Sequence, residues 1–132
     1  MECFTFKAGS EYLGIQAQYI FRVLEDISIT QVARTPESYL GLIYYRGELY
    51  DVVDIVHLLD HGNADLEKNF RIILVKWSDK KLALVTDEII GLFWIDDAED
   101  NKTVIRKETH TVHLITPEEI WEKLLNLSYG PH

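Results

Sequence analysis

The chain has 132 residues, 47% of them hydrophobic, enough for one core or two very small ones. Its 22 acids against 13 bases give a formal net charge of −9, a surface that repels phosphate backbones and makes nucleic acid and anionic membrane poor partners. A single cysteine, Cys3, excludes an intramolecular disulfide; with no signal-peptide pattern and no run near the roughly 18 apolar residues of a membrane span, a soluble cytoplasmic protein is expected.

Cys3–Lys7 alternates, with Phe4 and Phe6 on one face and Cys3 and Thr5 on the other, which predicts a strand. Ala8–Gly9–Ser10 is a turn, Glu11–Gln16 a second strand, and Ala17–Phe21 a short helical turn. Arg22–Glu25 and Ile29–Ala33 are further strand candidates. Thr35–Ser38 reads as one helical turn, with Thr35 as N-cap and Pro36 at the first helical position. Gly41–Ile55 reads as a β-hairpin: two runs rich in Tyr, Val, Ile and Leu flank an Arg46–Gly47 tip. An arginine at such a tip performs no chemistry alone; it is placed to be touched.

Asp54 is positioned to cap a short helix over Ile55–Asp60, stopped by Gly62, and residues 60–69 form a polar loop. Phe70–Trp77 is apolar on both faces apart from Arg71 and Lys76, the pattern of a central strand. A turn over Ser78–Lys81 precedes strands at Leu82–Thr86 and Gly91–Ile95. Asp96–Lys102 is an acidic loop, and Thr103–Lys107 pairs with Thr111–Ile115 around Glu108–Thr109. Thr116–Pro117–Glu118–Glu119 is a capping box, and Ile120, Trp121, Leu124 and Leu125 form one apolar stripe of a helix that ends from Asn126 onward. Many short strands with one long helix at the end predict an all-β small barrel or sandwich.

The common catalytic templates are missing: no Gly-rich phosphate loop, nucleophile elbow, CxxC pair or HExxH helix is present. His57, His61, His110 and His113 make the best case for a metal. However, an odd separation sends His110 and His113 to opposite faces of a strand, and scattered surface histidines are the plainer reading. Asp96, Asp97, Glu99 and Asp100 lack the Gly and distal Glu of an EF-hand loop and read as a solvated turn. Cys3, in an apolar strand without an adjacent base, reads as an inert buried thiol. Trp77 reads as core, whereas adjacent Phe93 and Trp94 face opposite sides of a strand, which leaves one of them free for exposure. No catalytic residue, metal site or cofactor is expected. Arg46 itself has two readings: a solvated turn residue paired with Glu48, or an interface anchor.

The hairpin resembles the signature of CheW-like domains: Gly41–Leu42–Ile43, then Arg46–Gly47, then Val52–Val53–Asp54–Ile55. The resemblance extends to Ile29–Val32 with Thr35–Pro36, to Phe70–Val75, to Leu84–Ile89 and to His113–Ile115 before the last helix, covering nearly the whole chain. It implies two small SH3-like β-barrels side by side with a C-terminal α-helix, in one domain over residues 1–132. The halves would be 8–66 for the first barrel, 1–7 plus 67–116 for a shortened second barrel, and 117–127 for the helix. It implies a non-catalytic adaptor that couples the cytoplasmic tip of a methyl-accepting chemoreceptor to the regulatory domain of a CheA-type histidine kinase.

Carried over by position, Ile20, Gly41 and Arg46 match receptor-contact positions, and Arg22 stands near that face where an acidic residue is common. The kinase-facing surface maps to edge strands and loops of the first barrel, without named residues. The chain departs from the family pattern at Tyr44–Tyr45, where Asn-Leu is usual, and in a short Asp96–His113 segment. The alternatives are a repurposed CheW-like scaffold in a surface-motility or other chemosensory system, and a small-ligand or metal-binding regulatory barrel.

Overall fold

In the computed structural model, residues 1–24, 39–59, 70–95, 104–107 and 110–129 are described. The period-2 pattern at the N-terminus becomes β1 (Glu2–Ala8), which runs antiparallel to β2 (Glu11–Gln16) across the Gly9–Ser10 turn. A 3-10 turn at Ala17–Tyr19 leads into β3 (Ile20–Leu24), two residues earlier than the sequence pattern places it. The hairpin is β4 (Tyr39–Tyr45) and β5 (Glu48–Asp54), followed by the single-turn helix α1 (Ile55–Leu58). The strands predicted at 29–33 and the helical turn at 35–38 lie outside the described residues.

Asp54 caps α1 as expected: its Oδ1 accepts from the backbone N–H of Val56 at 3.0 Å and of His57 at 3.2 Å. β6 (Arg71–Trp77) and β7 (Lys80–Thr86) form a second tight hairpin, and β8 (Glu88–Trp94) follows after one residue. β8 begins three residues before the predicted Gly91, because Glu88 and Ile89 pair with Lys7 and Phe6 beyond a bulge. β9 (Val104–Lys107) and β10 (His110–Leu114) form the expected hairpin, and α2 spans Pro117–Tyr129. Thr116 Oγ1 accepts from the Glu119 N–H at 3.1 Å, so Thr116 is the N-cap that the predicted capping box calls for. Of the predicted stripe, Ile120 and Leu124 are buried and Trp121 is half-buried, edge-on to Trp77 with ring centroids 6.3 Å apart.

The strands make two five-stranded sheets, ordered β8-β1-β2-β10-β9 and β3-β6-β7-β5-β4. The two share one pairing scheme. A central antiparallel hairpin, β1–β2 or β6–β7, carries one antiparallel flanking strand. On its other side a second hairpin, β9–β10 or β4–β5, joins it through a parallel pair. Each second hairpin runs into a side-chain-capped helix, α2 from Thr116 and α1 from Asp54. Sheet membership does not follow the halves expected from sequence: residues 71–86 pair with 20–24 and 48–54, and 11–16 pair with 2–8 and 112–114. β7 sits between β6 and β5, pairing antiparallel with the first along one edge and parallel with the second along the other.

One core joins both sheets. Phe6, Leu13 and Ile15 cluster with Tyr50, Val52, Ile72, Leu74, Leu82 and Leu84, closed by Ile115, Ile120 and Leu124. Cys3 packs instead with Ile95, Met1 and Leu114 on the other face of β1. Gly14 is there because nothing larger fits: a Cβ on it would lie 2.6 Å from Cys3 Sγ and 3.0 Å from Leu114 Cδ2. Gly14→Ala therefore lowers stability by about 1–3 kcal/mol, read as a lower urea midpoint, and Cys3→Ala in the same chain restores most of it. An unchanged midpoint in the single variant would show that Cys3 yields without strain.

Candidate functional site

Tyr45 pairs with Glu48, so the hairpin tip is a two-residue loop. Its centre has φ of 50° at Arg46 and 83° at Gly47, the left-handed pair of a type I′ turn. Gly47 meets that requirement freely. Arg46 does not: a left-handed non-glycine residue is disfavoured by about 1–2 kcal/mol, and Asn or Gly is the usual occupant. The side chain is exposed.

Tyr45 is half-buried against the core, and its ring carries two cations. The Arg46 guanidinium carbon lies 5.2 Å from the ring centroid and that of Arg22 lies 5.9 Å from it. Arg22 Nη1 also donates to the Tyr45 hydroxyl at 2.8 Å. Arg22 belongs to β3 and Tyr45 to β4, the two ends of the strand order, so this contact brings the edges of the sheet together as a barrel does.

A bulge at Phe21 shapes the β3 side. Ile20 pairs with Val75 and Arg22 with Leu74, leaving Phe21 as the extra residue. Two consecutive side chains, Phe21 and Arg22, are thereby both exposed, and Lys76 Nζ sits 4.0 Å from the Phe21 ring centroid. On the hairpin, Tyr44 and Leu49 are cross-strand partners and are 71% and 56% exposed, an apolar pair beside the arginine tip.

Glu48 is not the partner of Arg46. It forms ion pairs with Lys76 and Lys81 and accepts from the Tyr50 hydroxyl at 3.2 Å. The Lys76 hydrogen bond holds the Glu48 carboxyl below its ordinary range and raises the Lys76 ammonium. Among the described residues neither Arg22 nor Arg46 has a carboxylate partner.

Of the four positions singled out from sequence, Arg22 and Arg46 converge on Tyr45. Ile20 lies in the same strand as Arg22, half-buried and packed on the core. Gly41 is buried in β4 beside a bulge, and its φ of 138° gives that glycine a backbone role of its own. Tyr45 and Phe21 had no assigned role in sequence. A two-residue Arg-Gly loop between paired strands was the available signal for the strained turn, since type I′ geometry demands positive φ at both centres.

The histidine metal reading gains no geometry. His57 is in α1 and His113 in β10, His61 lies outside the described residues, and no group of three metal-ligating side chains occurs among the described residues. The acidic loop from Asp96 to Asp100 also lies outside them. One open groove among the described residues, of about 220 Å³, is bordered by Leu13, Leu58, His113 and Glu119. Trp94 is the exposed member of its pair, at 66%, with Leu92 beside it at 56%. No helix among the described residues is long and apolar enough to cross a membrane.

These features have relatives. The sequence pattern of the CheW-like domain matches residues 2–120, and the chain belongs to that family. CheW-like domains are non-catalytic scaffolds of chemosensory signalling. Protein FrzA of Myxococcus xanthus is 29% identical over 91 residues, which cover 69% of this chain and 57% of that protein, so the chain spans little more than half the length of that relative. The crystal structure of the scaffolding protein TtCheW from Thermoanaerobacter tengcongensis superposes with a TM-score of 0.81 at 23% identity, covering 92% of each chain. That likeness identifies the fold: the two sheets are the pair of SH3-like barrels expected from sequence.

Two measurements check the local chemistry. Arg46→Asn removes about 1–2 kcal/mol of backbone strain and forfeits an exposed cation–π contact of about 0.5–1 kcal/mol, so the urea midpoint rises slightly; a fall would mean that the stack on Tyr45 outweighs the strain. Burial pushes the Cys3 thiol from 9.0 up to about 11. The unfolded thiol then ionises first, so this group leaves stability unchanged below about pH 9 and lowers it as pH rises towards 11. At pH 8 a thiol reagent labels Cys3 only after unfolding in guanidinium; rapid labelling of the native chain would contradict its burial.

Proposed function

We propose that this chain is a cytoplasmic adaptor that couples the signalling tip of a chemoreceptor to the regulatory domain of a CheA-type histidine kinase. Membership of a scaffold family sets the class, and the exposed Arg46 on a strained turn carries the specific reading. Backbone strain that persists at an exposed position is a mark of function, because packing does not require arginine there. Arg22 and Arg46 supply charge, Ile20 and the exposed Phe21 supply apolar area, and Gly41 shapes the strand that holds the tip.

A mostly acidic receptor helix suits this surface, since a guanidinium fixes register on carboxylates through paired hydrogen bonds. The kinase is assigned to a separate surface, on edge strands and loops away from the tip, with binding in the micromolar range that suits a transient assembly.

Arg46→Glu weakens binding to a purified receptor signalling-tip fragment by about 30-fold or more, the effect of losing an interface anchor. It leaves the urea midpoint and the binding of the kinase regulatory domain nearly unchanged. Undiminished receptor binding in a pull-down would return the Arg-Gly tip to the status of a plain turn.

A further inference from the structure

Residues 1–66 hold only four bases, Lys7, Arg22, Arg34 and Arg46, among ten acids. Two of the four meet on a single tyrosine ring, from strands at opposite ends of the sheet order. Like charges gathered this way repel one another, and neither has a carboxylate partner among the described residues. Glu48, the acid nearest Arg46 in sequence, is engaged by Lys76 and Lys81. In a chain of net charge −9, acids to quench both cations are plentiful, yet none among the described residues is used. The arrangement is complete once two anionic groups arrive from outside.

We propose that Arg22 and Arg46, bridged by Tyr45, form a single two-guanidinium site that grips a pair of carboxylates one turn apart on the partner helix. This rests on the receptor-contact reading of Arg46 and adds a recognition rule to it. Carboxylates at i and i+3 or i+4 lie roughly 5–6 Å apart at their Cβ atoms. The two guanidinium carbons lie 5.2 and 5.9 Å from the centre of one ring, so their separation cannot exceed the sum of those distances.

Each guanidinium presents a planar fork that matches one carboxylate. Tyr45 is the positioning residue: its hydroxyl fixes Arg22 at 2.8 Å, and its ring face seats Arg46. Exposed Phe21, beside Arg22, supplies an apolar contact for the same helix. A phosphate backbone is the poorer occupant, because the acidic remainder of the surface repels a long polyanion.

The test uses the intact chain and, as probe, the purified signalling-tip fragment of a chemoreceptor encoded in the same genome, titrated calorimetrically at low and high salt. Arg22→Ala and Arg46→Ala each weaken binding about tenfold, and each flattens the salt dependence. Tyr45→Phe, which keeps the ring and removes the hydroxyl, weakens binding severalfold in the native chain but has no further effect in Arg22→Ala. That non-additivity distinguishes positioning from a merely structural role. Arg22→Lys retains the charge and loses the fork, and binds less tightly than the native chain.

If Arg46→Ala weakens binding while Arg22→Ala and Arg22→Lys stay within twofold of native, the two-guanidinium site is overturned and the receptor reading stands. If none of the arginine variants weakens binding, both fall. Urea midpoints of all variants, expected near the native value for the exposed arginines and for the loss of a single hydroxyl at half-buried Tyr45, keep a loss of folding from being read as a loss of binding.

Discussion

The whole arrangement depends on a crossing of one residue. β7 ends at Thr86 in one sheet and β8 begins at Glu88 in the other, with Asp87 alone between them. Three hydrogen bonds fasten that crossing to the N-terminal strand. Thr86 Oγ1 and the Asp87 N–H both donate to the Lys7 carbonyl, and Asp87 Oδ2 accepts from the Gly9 N–H at 2.8 Å. Thr86 is fully buried, so its hydroxyl would be costly to leave unpaired. Phe6 and Ala8 of the same N-terminal strand lie in the core shared by the two sheets. A half of roughly 60 residues buries too little surface to be secure alone. Welding the two at Asp87 makes them one folding unit.

That weld frames the hairpin. β5 is held parallel to β7, the strand that leads into the crossing, and β4 is held to β5. The edge of β4 then meets β3 through the Tyr45–Arg22 contact. A tip mounted on such a frame tolerates the left-handed backbone of Arg46, because the paired strands on both sides dictate the turn. Both cations are held on Tyr45, and in the proposed adaptor that preorganisation would reduce the ordering cost of binding.

Much of this was legible in the sequence, for definite reasons. Alternation pointed to β1 and the turn after it to β2, and the Gly-bounded hairpin and both capped helices followed from turn and cap chemistry. Arg46 stood out because a two-residue loop leaves it nowhere to hide. What sequence could not supply was long-range. β6 and β7 read as strands, yet the pairings of β6 with β3 and of β7 with β5 are long-range, so the expected halves cut the chain in a different place from its sheets. The beginning of β8 was missed because pairing with β1 resumes past a bulge at Thr5–Phe6. The meeting of Arg22 with Tyr45 depends on a second bulge, at Phe21, and on sheet curvature, neither of which local pattern encodes.

The central claim is that the Arg46 tip and its Tyr45-bound neighbour form the receptor-facing surface of a chemosensory adaptor. Backbone amide shifts of the isotope-labelled chain, followed by NMR as a receptor signalling-tip fragment is added, test it most directly. The account predicts that the largest shifts fall on residues 20–22 and 44–47, with the β8 strand and α2 little changed. Shifts concentrated on Leu92 and Trp94, with the Arg46 turn silent, would contradict it.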